Sequence, residues 1–125
     1  MEMTLVVIKP RNNLKSMIVR RLFVDNGLEI VSAKRLTMTV EEVSNLYFDK
    51  VGTYFFKEIL EYLTSDKSLV WVVSGDNAVR KVLDIKGKGG KTGIRGAFAK
   101  DRVQNIMHSS DTVEDAKREV SIFWG

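Results

Sequence analysis

The period of the hydrophobic pattern changes several times along the chain, and each change marks an element. Thr4 to Ile8 (TLVVI) is an unbroken run of apolar and β-branched residues, the pattern of a buried strand. Pro10, just after Lys9, stops it because proline cannot continue a ladder. Leu14 to Asn26 then takes helical spacing. Leu14, Met17, Ile18, Arg21, Leu22 and Val24 approximate one face, with Lys15 and Arg20 outside it. Asn26-Gly27 is a helix stop. From Leu28 to Met38 the period drops to two, with Leu28, Ile30, Ser32, Lys34 and Leu36 opposite Glu29, Val31, Ala33 and Arg35. That alternation predicts a strand with one wet face.

Thr39-Val40-Glu41-Glu42 has the spacing of a capping box and opens a helix carrying Val43, Leu46 and Tyr47. Gly52 and Thr53 break it, and Phe55 to Leu63 returns to helical spacing. Leu69 to Val73 (LVWVV) reads as a second buried strand. Asp76 is the expected cap of a helix ending near Leu83. Ile85 to Gly96 breaks the pattern, with lysines 86, 88 and 91 set between glycines, and reads as a flexible basic loop. A short helical turn is expected over Phe98 to Arg102 and a last strand over Val103 to His108. Thr112 opens a terminal helix with Val113, Ala116, Val120 and Phe123. This order predicts a single α+β domain over residues 1–125, a ferredoxin-like βαββαβ antiparallel four-stranded sheet with helices on one face. A small parallel α/β sheet is the second choice.

Composition narrows the chemistry. The 125 residues contain no cysteine and one histidine, His108. Disulfides, thiolate catalysis and cysteine- or histidine-rich metal sites within one chain are therefore excluded. Neither a secretory leader nor an apolar stretch of membrane-spanning length is visible, so a cytoplasmic location is the expectation. The net charge of +4 leans mildly toward anionic ligands: phosphates, nucleotides or nucleic acid. Gly90-Lys91-Thr92 suggests a phosphate-binding loop, but Ile85 stands where that motif needs glycine, and the motif is rejected.

His108 follows the run Val103 to Met107 and precedes Ser109-Ser110-Asp111. Its residue type allows a general base, a phosphoryl-accepting nucleophile or a buried spacer. Lys9 at a strand end and Arg95 beside the glycine-rich loop suit phosphates, yet each alone is more often a surface charge. Tyr47 and Phe55 would ordinarily be core, Asn105 a structural hydrogen-bonder, and Glu119 a salt-bridge partner on the last helix.

Together these residues resemble the nucleoside diphosphate kinases over nearly the whole chain. The resemblance rests on Thr4 to Pro10, on Tyr47 with Phe55-Phe56, and on Ile94-Arg95-Gly96 with Phe98. It rests above all on Asn105-Ile106-Met107-His108-Ser109-Ser110-Asp111 with Glu119 behind it. It implies a ferredoxin-like fold and transfer of a γ-phosphate to a nucleoside diphosphate by a ping-pong route, through phosphohistidine on Nδ1 of His108. It also implies that Glu119 orients the imidazole with support from Ser110. Lys9, Asn105 and Tyr47 would lie at the phosphates and ribose, Arg95 on a phosphate, and Phe55 against the base. Mg²⁺ would arrive on the nucleotide phosphates. ATP and other nucleoside di- and triphosphates would be the ligands, and a homo-oligomer, hexamer or tetramer, the assembly, burying apolar ends such as Ile122-Phe123-Trp124. The chain differs from the family pattern at four places. Leu83 stands at an arginine position and Tyr54 at a proline. Ser109 replaces a glycine, and the loop from Ile85 to Gly93 is shorter. A nucleotide- or nucleic-acid-binding module with little kinase activity is the alternative function.

Overall fold

The computed structural model describes residues 1–88 and 91–125. Its strands are β1 (Glu2–Ile8), β2 (Glu29–Leu36), β3 (Ser68–Gly75) and β4 (Met107–Ser109). They form one sheet in the order β2-β3-β1-β4, and every pairing is antiparallel. The helices are α1 (Asn13–Asp25), α2 (Val40–Leu46), α3 (Phe56–Thr64), α4 (Ala78–Lys86), α5 (Gly93–Phe98) and α6 (Val113–Trp124). This is the expected four-stranded ferredoxin-like sheet, and the parallel alternative falls.

The helices cover both faces of the sheet rather than one. Val6 and Ile8 of β1 pack with Val19, Phe23, Trp71 and Val82 on one side. Leu5 and Val7 pack with Val43, Leu63, Val70 and Phe123 on the other. A strand buried on both faces has no polar side to show, which is why β1 reads as a continuous apolar run. Edge strand β2 keeps the alternation predicted for it, interrupted by a register shift between Ile30 and Ser32.

The local start signals divide. Thr39 and Glu42 form both bonds of a capping box at α2, and the Thr112 hydroxyl accepts from Asp115 N at α6. Asp76 does not cap α4. The preceding residue Asn77 is left-handed at φ 53°, and Val79 N donates instead to Glu2 Oε1 across the sheet end.

Three other expectations are corrected. In α1 the buried residues are Ser16, Val19 and Phe23, whereas Leu14, Met17, Ile18 and Val24 face outward. The helix is apolar on most sides, so a 3.6-residue period fits two stripes, and the aromatic side chain Phe23, edge-on to Trp71 at 6.2 Å, selects the inner one. The C-terminal Ile122-Phe123-Trp124 is not an exposed end. Phe123 is buried, its neighbours pack on the same core, and Lys34 covers the Trp124 ring at 4.9 Å. The basic segment is not an open loop either. Ile85 and Lys86 complete α4, and Gly93–Phe98 is helical, so the short turn expected over Phe98 to Arg102 lies earlier. Gly89 and Gly90 lie outside the described residues. Among those described, Lys88 N donates to Thr92 O and Thr92 N to Lys88 O, each at 3.0 Å. Gly87, at φ 67°, backs onto Thr92 so closely that a Cβ would sit 2.1 Å from its carbonyl oxygen.

Candidate active site

β1 and β4 lie side by side, with Val7 opposite His108 and Ile8 opposite Met107. This register sets the end of β1, with Lys9, against the segment leading into β4. That segment is strand only from Met107; the expected strand from Val103 is interrupted because its backbone groups bond within the segment and to Lys9. Asp101 accepts from the amides of Val103 and Gln104, Ile106 adopts φ 78°, and Lys9 N donates to Ile106 O.

Lys9 is buried, and its ammonium donates to Asn105 Oδ1 at 2.6 Å and to Val103 O at 3.1 Å. Asn105, also buried, donates in turn to Arg102 O. Burial brings the Lys9 pKa down to about 7, with Arg95 and then Lys86 adding to the effect. Arg95 projects from α5 and donates to Met107 O at 2.9 Å, tying that helix to the residue before the histidine. Its Nε is buried without a protein partner.

His108 is mostly buried. Its Nε2 lies 2.7 Å from Glu119 Oε1, and the Ser110 hydroxyl donates to the same oxygen at 3.0 Å. Glu119 is 4% exposed on the inner side of α6. A carboxylate only accepts, so Nε2 carries the proton and Nδ1 keeps the lone pair. Burial lowers the His108 pKa below its usual 6.5, and the bond to Glu119 opposes that shift. The site therefore holds a neutral, oriented imidazole at pH 7. The Tyr47 ring meets the imidazole edge-on at 5.3 Å, and Lys9 lies over the other part of that ring at 5.9 Å. Burial pushes the Tyr47 hydroxyl up, and this hydroxyl has no protein partner.

Beside this group opens a cavity of about 670 Å³ whose lining includes Lys9, Tyr47, Phe55, Arg95, Arg102 and Asn105. Of the eight residues singled out in the sequence, five line the cavity. The other three, His108, Ser110 and Glu119, form the hydrogen-bonded group next to it, in contact through Tyr47.

Three neighbours were not anticipated from the sequence. Arg102 stacks on Phe55 at 5.2 Å and on Tyr54 at 5.5 Å, at the wall of the cavity. Arg118 lies 3.5 Å from Glu119 Oε2 and donates to Asn45 O, bracing the carboxylate from behind. Lys86, grouped in the sequence with the loop lysines, is instead buried at the end of α4. Among the described residues no cluster of three or more His, Cys, Asp or Glu side chains could cage a metal ion. No described helix is long and apolar enough to cross a membrane.

A buried histidine oriented by a carboxylate, next to cationic groups at the edge of a ferredoxin-like sheet, is chemically suited to phosphoryl transfer. Comparison with known proteins gives the family. The family model for nucleoside diphosphate kinase matches residues 2–125. Similar sequences include the nucleoside diphosphate kinases of Campylobacter fetus, 37% identical over 99% of this chain and 96% of that protein, and of Sulfurisphaera tokodaii, 38% identical over 97% and 87%. Among solved structures, the apo Encephalitozoon cuniculi nucleoside diphosphate kinase superposes with a TM-score of 0.91 at 30% identity, covering 100% of this chain and 90% of that one. The Aquifex aeolicus nucleoside diphosphate kinase gives 0.87 at 27%, covering 99% and 95%. The chain belongs to the nucleoside diphosphate kinase family.

Proposed function

We propose that this protein moves the γ-phosphate of a nucleoside triphosphate to a nucleoside diphosphate in two half-reactions through His108. The observation that carries this is the Glu119–His108–Ser110 group, which fixes the imidazole with Nε2 protonated. In the first half-reaction the Nδ1 lone pair attacks the γ-phosphorus. The N–P bond forms, the bond to the β–γ bridging oxygen breaks, and the nucleoside diphosphate leaves with that electron pair. In the second, a terminal oxygen of the incoming diphosphate attacks the same phosphorus and Nδ1 recovers its lone pair. The Nε2 proton stays on the Glu119 bond throughout, so no proton need enter or leave.

Such a transfer spreads negative charge over the equatorial oxygens, and catalysis is mainly positioning and neutralisation. Arg95 supplies fixed positive charge and Lys9 adds its own when protonated, and the unpartnered Arg95 Nε and Tyr47 hydroxyl are donors awaiting an acceptor. Asn105 holds Lys9 in place and lies with Tyr47 toward the ribose and phosphates. Phe55 offers a ring face to the base, a contact that reads no base edge and so tolerates different bases. Mg²⁺ would arrive on the nucleotide phosphates, where it would supply further charge neutralisation. A module kept only for binding nucleotides or nucleic acid would have no use for a buried carboxylate behind a histidine.

The working form is a homo-oligomer in the cytoplasm, where nucleoside di- and triphosphates are pooled. The outward face of α1, with Leu14 81% and Met17 67% exposed, and the edge position of β2 support assembly. Incubation with γ-labelled ATP tests the reading. Label should appear as an acid-labile, base-stable adduct that His108→Ala lacks. Correctly folded protein that takes up no label would overturn it.

A further inference from the structure

We propose that Lys86 is a phosphate-holding residue, its ammonium binding the terminal phosphates of the nucleotide that His108 attacks. This rests on the phosphotransfer reading above.

Lys86 is the last residue of α4 and is 8% exposed, whereas Lys88 and Lys91 of the same segment are exposed. Its ammonium has no hydrogen-bond or ion-pair partner among the described residues. The charged and titratable groups within its electrostatic reach are Arg95, Lys9, His108, Asp111 and Glu119. The two carboxylates among these offset its charge only in part. Glu119 is already engaged by His108, Ser110 and Arg118, and Asp111 stands exposed on the surface. Lys9, Lys86 and Arg95 therefore crowd one small region with an excess of positive charge. A buried cation without a direct ion pair is unfavourable in the free protein. The negative end of the α4 dipole offsets only part of that, because it amounts to a partial charge. A polyanion bound between the three groups would complete the neutralisation.

The backbone explains why Lys86 points here instead of into solvent. The turn after α4 folds back tightly. Gly87 and Gly93 both have positive φ, and a Cβ on Gly93 would sit 2.8 Å from Gly87 N. This brings the end of α4, with Lys86, against the start of the helix that carries Arg95. Arg80 on the same helix pairs with Asp84 on the exposed side, whereas Lys86 is the buried cation of α4. Lys9 already spends two of its three donors on Asn105 and Val103, whereas all three of Lys86 are free for phosphate oxygens among the described residues.

The test compares full-length wild type with Lys86→Met, Lys86→Gln and Lys86→Arg. Binding of ADP and of AMP is measured by calorimetry, and the Tm of each ligand-free protein is recorded. Lys86→Met and Lys86→Gln should weaken ADP binding about tenfold to a hundredfold, the loss expected for charged hydrogen bonds, and weaken AMP much less. Lys86→Met should also raise the Tm of the free protein, because it removes an unpaired buried charge. Lys86→Arg should keep most of the ADP affinity. ADP affinity unchanged in both neutral variants would overturn the proposal, as would equal losses for ADP and AMP accompanied by a lowered Tm. Absence of phosphohistidine in the wild type would instead overturn the phosphotransfer reading, and the ADP-against-AMP comparison would still decide the role of Lys86.

Discussion

Glu119 Oε1 stands 2.7 Å from His108 Nε2, in a pocket where burial alone would leave the imidazole free to rotate and choose its tautomer. The bond fixes both. Glu119→Ala should therefore cut the rate of His108 phosphorylation by roughly a hundredfold or more, the scale seen when a histidine loses its orienting carboxylate. Rapid-quench measurement at saturating ATP checks this. A rate within a few-fold of wild type would show that the ring is held by other means.

The pH dependence follows from the same pair. Only neutral His108 attacks, so the rate should rise with pH through its pKa, which burial sets below 6.5. Glu119 pulls that pKa upward, so Glu119→Gln should move the acid limb of the residual activity to lower pH. A limb that moves to higher pH would contradict the arrangement.

Stability and affinity should respond to alkaline pH in opposite directions. Burial holds Lys9 near 7 and Lys86 near 8 in the folded protein, while both return to about 10.5 on unfolding. Between pH 7 and 9.5 the unfolded chain thus binds more protons than the folded one, so stability of the free protein should rise with pH. Nucleotide affinity should fall over the same range, because the phosphates bind the charged ammonium forms. Denaturant titrations and ADP titrations at matched pH values measure the two slopes.

The tight turn after α4 should be sensitive out of proportion to its size. Gly87→Ala places a methyl group against the Thr92 carbonyl at a positive φ, so it should lower stability by about 1 kcal/mol or more and weaken ADP binding by displacing Lys86. Thr39→Ala is the control at a distance. Removing its capping-box oxygen should cost about 1 kcal/mol with no change in phosphorylation rate.

Much of this protein can be read from its sequence, and the failures have physical causes. The sheet strands announce themselves because β1 and β3 are buried on both faces and so lack polar interruptions. The eight candidate site residues stand out only through a family resemblance, since no single one outweighs its ordinary structural use. The face of α1 is misread because apolar residues surround most of that helix. The start of β4 is misread because backbone groups that a ladder would use are taken, the amides of Val103 and Gln104 by Asp101 and the Val103 carbonyl by Lys9. Lys86 is hidden among loop lysines because its burial depends on a glycine-to-glycine contact that no local pattern encodes.

The misread face of α1 carries a prediction of its own. Leu14→Lys with Met17→Lys should reduce the assembly to smaller species in sedimentation at micromolar concentration while leaving the monomer fold, by circular dichroism, intact. An unchanged sedimentation coefficient would place the subunit contact elsewhere.

His108 is proposed to pass a phosphoryl group between nucleotides. The most direct measurement uses phosphorylated protein freed of ATP and mixed with GDP. One GTP should form per phosphohistidine, in a single fast phase, with no inorganic phosphate released. Label that leaves only as inorganic phosphate, or that stays on the protein in the presence of GDP, would contradict the account.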